Sequence, residues 1–412
     1  MVERDGFLAE ARRGGWRVLL AALLGVMLGI TALPFYTLGV FSQPIAADFG
    51  WTRAEVQSGF AFQMMGTVLV AWAAGWMTDR FGARPVALVS QLGLAAAFLL
   101  FAIQPGDLVT WRISWLLLAV LAIGTSPLTW SRGIMDWFDK GRGMALGIAL
   151  SGSGITAALA PPVLNAIIAS HGWREGYLFL GGLIVGVGVP LTWLLFRGRS
   201  RTAARAVTSP AAPGVASGVG FAQALAGYRF WLLLIAVGAT HFTISGIIPN
   251  VGPILEKIGV REVAWYSSLL GVSVMVGRIV TGALIDRFWA PAVAAILLML
   301  PGLACLLLWQ GQAPALAAVM IGLAAGAEFD LIAFLCARYF GMRSYGRIYA
   351  WLWAGFAIAT GAGAYVFASL VEASGGHAPA LLIGAAVIFA GASSLLLLGR
   401  YPDFAVTDAP RP

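Results

Sequence analysis

Uninterrupted apolar stretches of helical length recur twelve times along this 412-residue chain, and no water-soluble fold accommodates that pattern. An α-helix rises about 1.5 Å per residue, so about 20 apolar residues cross the roughly 30 Å hydrocarbon core of a bilayer. The runs predict spans at Trp16–Phe41, Val56–Met77, Val86–Ile103, Ile113–Met135, Met144–Ala169 and Tyr177–Phe196. A second set follows at Phe230–Ile254, Ala264–Ile285, Ala292–Trp309, Ala315–Ala337, Ile348–Val371 and Pro379–Leu398. Long continuous runs argue against a membrane β-barrel, whose strands are segments of about 10 residues with alternating hydrophobicity. Composition agrees: 11% of residues are charged, against about 25% in soluble domains, and the mean hydropathy is +0.86.

A net charge of +8 in a soluble protein would suggest a nucleic-acid partner. Here the distribution gives another answer. With both termini placed in the cytoplasm, 20 of the 26 Lys and Arg residues fall in cytoplasmic segments and five (Arg53, Arg112, Arg174, Lys257 and Arg261) in outer loops. That is the positive-inside bias of a membrane protein, and it disposes of nucleic acid as a partner. The remaining cation, Arg278, falls inside a span. Cys305 and Cys336 lie in apolar runs on different spans and read as small buried residues, with no disulfide. His171, His241 and His377 are too scattered to hold a metal, so neither metal nor cofactor is expected. Residues Met1 to Gly15 mix acids and arginines without a cleavage site after a short apolar core, so the first span is expected to remain in the mature protein.

The two sets of spans are separated by residues 197–228, rich in Arg, Pro and Gly and too poor in apolar residues to fold alone. The expected organisation is therefore a six-helix bundle over 1–196, a cytoplasmic linker over 197–228 and a second six-helix bundle over 229–412. An internal repeat supports it. Gly75-Trp-Met-Thr-Asp79-Arg80-Phe81 closes the second span, and Gly282-Ala-Leu-Ile-Asp286-Arg287-Phe288 closes the eighth, about half the chain later. Trp137-Phe138 and Tyr339-Phe340 repeat at a similar offset. Two related six-helix halves are a transporter signature, with the solute site between them near mid-membrane.

Gly75, Asp79, Arg80, Gly82 and Arg84 form a short loop that resembles the signature loop of the major facilitator superfamily. Its physical reading is a tight glycine turn whose Asp79 caps a helix or pairs with a basic residue, a contact suited to a conformational gate. Downstream, Trp137-Phe138-Asp-Lys140-Gly-Arg142, then Ser151-Gly152-Ser-Gly154, Pro161-Pro162 and His171-Gly-Trp173-Arg174 are similar to the monocarboxylate transporter family within it, its bacterial members especially. Arg338-Tyr-Phe-Gly-Met-Arg343-Ser-Tyr-Gly-Arg347 adds to the match, which covers nearly the whole chain. The resemblance implies an all-α major facilitator fold of two pseudo-symmetric bundles. It also implies residence in a bacterial inner membrane with both termini cytoplasmic, and alternating access, the chain working as a monomer.

Arg278 is the most informative residue. It stands eight residues before Asp286, about 12 Å inward from the loop. An arginine at mid-bilayer costs on the order of 3 kcal/mol on insertion scales, and its fork of donors suits a carboxylate. The resemblance implies an anion anchor, since monocarboxylate transporters carry an arginine at this point of the eighth helix. The alternative is a structural ion pair with an internal acid. Glu328 and Asp330 are the acids inside a span, on different sides of their helix, and with His241 they are candidates for proton handling or for pairing with Arg278. Tyr36, after the helix-breaking Pro34, and Gln63, His241 and Asn250 are further polar candidates for the solute site. The family's first-helix lysine corresponds to Tyr36 here and its eighth-helix aspartate to Val274, so the usual proton-coupling pair is missing.

The leading expectation is secondary transport of a small organic anion, a monocarboxylate, with proton coupling left open. The competing transport reading is an exporter or exchanger of drug-like solutes in which Arg278 is structural. No metal cluster, nucleophile–base pair or phosphate-binding glycine loop supports an enzyme. Short tails and a short linker leave little room for a signalling surface.

Overall fold

The computed structural model describes the chain except residues 1–6, 139–141, 197–217, 261, 286, 342 and 403–412, together with the side chains of residues 79, 142, 143, 283, 329, 330 and 346. The described chain is helical nearly throughout. Among the described residues ten helices are long and apolar enough to cross a membrane: Arg53–Thr78 (α2), Ala83–Ala102 (α3), Leu108–Met135 (α4), Met144–His171 (α5), Trp173–Leu195 (α6), Tyr228–Lys257 (α7), Val263–Gly282 (α8), Ala290–Trp309 (α9), Arg347–Ser374 (α11) and Ala378–Leu398 (α12). An eleventh, α10, joins Pro314–Glu328 to Leu331–Phe340 through a 41° bend.

The first expected span is two helices, α1a (Trp16–Met27) and α1b (Leu33–Phe49), and it extends eight residues beyond Phe41. Pro34 explains the break. It sits in the first turn of α1b, and lacking an N–H it leaves Ile30 O without the donor a continuous helix would supply. Backbone groups freed inside a membrane need partners. Ile30 N donates to Thr125 Oγ1 at 3.0 Å, and Ile30 O accepts from Gln63 Nε2 at 3.2 Å. Neighbouring helices of the same half therefore close the gap. The expected linker lies largely outside the described residues; in its described part, Val219 N donates to Phe340 O at 3.0 Å.

Burial follows the lipid rule. Ile279 is 75% exposed on the outer face of α8, while its neighbour Arg278 is 8% exposed on the inner face. The two halves meet where α5 packs on α8 and α2 on α11. Along the first seam Gly271 lies so close to Ala157 and Ala158 that a Cβ there would collide with their backbone.

At the end of the bundle away from the termini, Thr52 and Glu55 form a capping box on α2, with bonds of 3.1 and 2.8 Å. Ala54 N, another first-turn donor, is taken at 2.8 Å by Glu372 Oε1 from the last turn of α11. A cap from the opposite half holds this end shut along one seam. Glu372→Ala should weaken it by about 1 kcal/mol, the usual worth of a cap. Spin labels at the far ends of α2 and α11 would then report a roughly fivefold shift toward longer separations; an unchanged distance distribution would refute the latch.

Candidate functional site

The breaks in the helices point to the site. In the first half α1 is broken before Pro34, and α4 passes through a 3-10 turn at Ile123–Thr125 before Pro127. In the second half α7 passes through a 3-10 turn at Ile248–Asn250, and α10 carries its 41° bend. The first and fourth helices of each half are thus interrupted at corresponding positions, while α5 breaks at Ser151 and α6 carries a π-helical stretch at Ile184–Gly188. Interrupted helices at corresponding positions of two repeats mark where irregular backbone lines a solute site.

A cavity of about 660 Å³ lies between α1b and α5 of one half and α7 and α8 of the other, toward the end away from the termini. Tyr36, Gln43, Asn165 and Ser267 with the charged Arg53, Glu256 and Glu262 supply its polar lining, and the prolines and small residues of α5 and α7 make its walls. Tyr36 lies within electrostatic reach of Arg278 and Glu328, which interact with each other in turn.

Arg278 stands eight residues, about 12 Å along α8, beyond Leu270 of the cavity wall. Among its contacts, Nη2 donates to Ser153 Oγ on α5 at 3.1 Å, so the buried cation reaches across the seam between the halves. Glu328 comes from the bend of α10 and is buried; its Oε2 lies 3.4 Å from His241 Nδ1 on α7. The His241 ring packs edge-on against Phe356 of α11, with centroids 3.9 Å apart. Buried Arg278, Glu328 and His241 and the partly exposed Tyr36 therefore form one polar cluster drawn from four helices and both halves, with His241 and Glu328 in contact and the others within electrostatic reach.

Two other candidates stand elsewhere. Gln63 holds the carbonyl of the α1 break. Asn250 pairs with Gln57 of α2 through reciprocal amide contacts of 3.2 and 3.4 Å, and its Nδ2 also donates to Gly246 O at 2.8 Å. This pair crosses between the halves. Asn250→Ala leaves the buried Gln57 amide without its partner, which costs about 1–3 kcal/mol. A lowered melting temperature in the purified protein would register it, and Gln57→Ala combined with Asn250→Ala should cost less than the sum of the two. The side chain of Asp330 lies outside the described residues.

The gate candidates fall at the terminus-side ends of α2 and α8. Gly82 carries φ +90° in the turn between α2 and α3, a conformation that favours glycine. Arg84 donates to Trp193 O and lies over the Trp193 ring, fastening the turn to α6 of its own half. Arg80 stacks on Trp76, 5.4 Å from the ring centroid, and Gly75 packs near Leu128. Arg287 is exposed, while the side chain of Asp79 and all of Asp286 lie outside the described residues. Beside this end, burial lifts the Asp136 carboxyl above the usual range, with the charge of Arg132 opposing the shift.

Sequence reading missed Ser153, Gln57 and Glu372, because their role is set by a partner on a distant helix. Ser153 had one signal: it is flanked by Gly152 and Gly154, small residues that let two helices approach.

Helices arranged as two linked bundles around a central cavity define a membrane carrier. Residues 24–364 match the Major Facilitator Superfamily, and the chain belongs to it. The chain is 30% identical over 178 residues to the probable sulfoacetate transporter SauU of Cupriavidus necator (41% of this chain, 39% of that one). It is 25% identical over 292 residues to monocarboxylate transporter 11 of Mus musculus (68% and 61%). The chain thus spans less than two thirds of the length of either relative. A bacterial homologue of the human lysosomal transporter Spinster, solved inward-facing and unoccupied, shares the fold with a TM-score of 0.67 at 15% identity, covering 93% of this chain and 96% of that one.

Proposed function

We propose that this protein is a secondary transporter of a small organic anion, a monocarboxylate, working by alternating access. One observation carries the reading: Arg278 is buried between the two halves and hydrogen-bonds across their seam to Ser153. A cation held at the place the halves must exchange is costly unless something uses it. Its guanidinium is planar, always charged and matched to a carboxylate. Tyr36 supplies a hydroxyl between the cavity and the cation, and the cavity admits a small acid with an alkyl or aromatic tail. The names of two relatives, transporters of sulfoacetate and of monocarboxylates, support an anionic solute.

In this reading the residues 1–196 and 229–412 rock as two bodies about the cluster. Gly75, Asp79, Arg80, Gly82 and Arg84 form one terminus-side gate, with Asp286 and Arg287 its counterpart. The carrier sits as a monomer in a bacterial inner membrane with both termini cytoplasmic, an orientation the Lys/Arg bias supports.

Proteoliposomes test this. Labelled acetate, lactate and benzoate, and a cationic drug-like dye as the contrary probe, would be offered with and without an inward proton gradient. Saturable uptake of a carboxylate, with the dye left outside, is the expected result. Dye movement without carboxylate movement would give the exporter reading the lead.

A further inference from the structure

Glu328 and His241 face each other inside the second half, away from the 660 Å³ cavity. Beside them lies a second cavity of about 20 Å³, walled by α7, α9, α10 and the end of α12. Its lining is apolar apart from Thr240, His241 and Glu328, and it has room for about one water molecule. The Thr240 hydroxyl is already committed to Ala236 O at 2.8 Å. A carboxyl and an imidazole in contact, in a nearly dry pocket, are an expensive arrangement for packing alone. The neighbouring elements contribute two further titratable or charged groups among the described residues: Tyr36 from α1b and Arg278 from α8. From α11 the pair meets the apolar ring of Phe356.

Charge balance shows what this arrangement can do. With His241 neutral, the cluster holds one permanent cation, Arg278, and one acid, Glu328. A carboxylate arriving at Arg278 adds a negative charge to a group of residues screened from water, where like charges interact strongly. One proton delivered to the Glu328–His241 pair restores the balance, and no other described group in the cluster is placed to take it. Departure of the anion on the other side releases the proton by the same argument, since linkage is reciprocal.

We propose that the Glu328–His241 pair is the proton-binding site of this carrier, loaded together with the anion through the charge of Arg278. This deepens the proposed function and rests on Arg278 receiving a carboxylate. The step is a proton transfer from water onto the Glu328 carboxylate, with the imidazole as its hydrogen-bond partner; no bond other than that to the proton forms or breaks.

Calorimetry on the purified full chain in nanodiscs tests it, with lactate and benzoate as probes in two buffers of different ionisation enthalpy. Wild type should take up about one proton per carboxylate bound above the midpoint of the pair, and its Kd should rise about tenfold per pH unit there. Glu328→Gln should still bind, take up none, and show a Kd independent of pH. Wild-type binding without proton uptake, or unchanged uptake in Glu328→Gln, overturns the assignment. Should Glu328→Gln fail to fold, infrared difference spectra of wild type keep the question answerable. Lactate binding should add the carbonyl band of a protonated carboxyl, a band that His241→Gln displaces; no new band overturns the proposal. If neither probe binds wild type, the anion reading itself fails and this inference falls with it.

Discussion

Arg278→Gln should abolish carboxylate transport while leaving a folded protein. Glutamine keeps length and polarity but removes the charge and the two-pronged donor geometry. Removing one partner of a buried charged hydrogen bond costs about 2–5 kcal/mol. At about 1.4 kcal/mol per decade, that is a loss of roughly 30-fold to several thousand-fold in affinity. Arg278→Lys should recover only part of it, because an ammonium is a point charge without the fork. Were Arg278 merely a strut, Arg278→Gln would lower the melting temperature and carboxylate binding would survive in it. Equilibrium binding of labelled carboxylate, with melting curves on the same samples, decides between the two roles. A stable Arg278→Gln that binds as wild type does would end the anion-anchor reading.

Gly271→Ala should be among the most damaging single-methyl changes in the described chain. Its new Cβ would stand 2.7 Å from the carbonyl carbon of Ala157 and nearer still to the backbone of Ala158. Those atoms belong to another helix and cannot rotate aside as a side chain can. Overpacking costs about 1–3 kcal/mol in well-packed cores. In the proposed alternating access the strain also falls on a seam that must slide. Gly282→Ala, eleven residues along the same helix, provides the control, since a Cβ there meets nothing within 4 Å. The expected outcome is a destabilised, transport-deficient Gly271→Ala beside a near-normal Gly282→Ala. Equal behaviour of the two would show that α5 and α8 are not held as closely as the structure has them.

Much of the architecture was legible because the bilayer is a demanding solvent. A lipid-facing helix must be apolar along its whole length, so eleven of the twelve expected spans coincide with a helix to within a few residues. The first differs because apolarity marks where chain lies in lipid and is blind to hydrogen bonding. Pro34 announced a disruption, but its extent, Leu28 to Ala32, depends on Thr125 and Gln63 supplying partners to Ile30. The site was legible in kind and only partly in membership. Tyr36, Arg278, Glu328 and His241 stood out as polar residues in apolar runs, and they converge. Gln63 and Asn250 stood out for the same reason, yet they are committed to Ile30 and Gln57.

By itself, then, the sequence determined the solvent, the number and order of the helices, the two-fold repeat and the presence of one cation at membrane depth. Each of these follows from local composition, which a bilayer reads residue by residue. The tertiary structure alone decided that Arg278 faces Ser153 across the seam, that Glu328 faces His241, and that Glu372 caps the opposite half. Those pairings join residues 125, 87 and 318 positions apart. Nothing in the local pattern of a helix records which distant helix will pack against its polar side, because that choice is made by the packing of all the helices together.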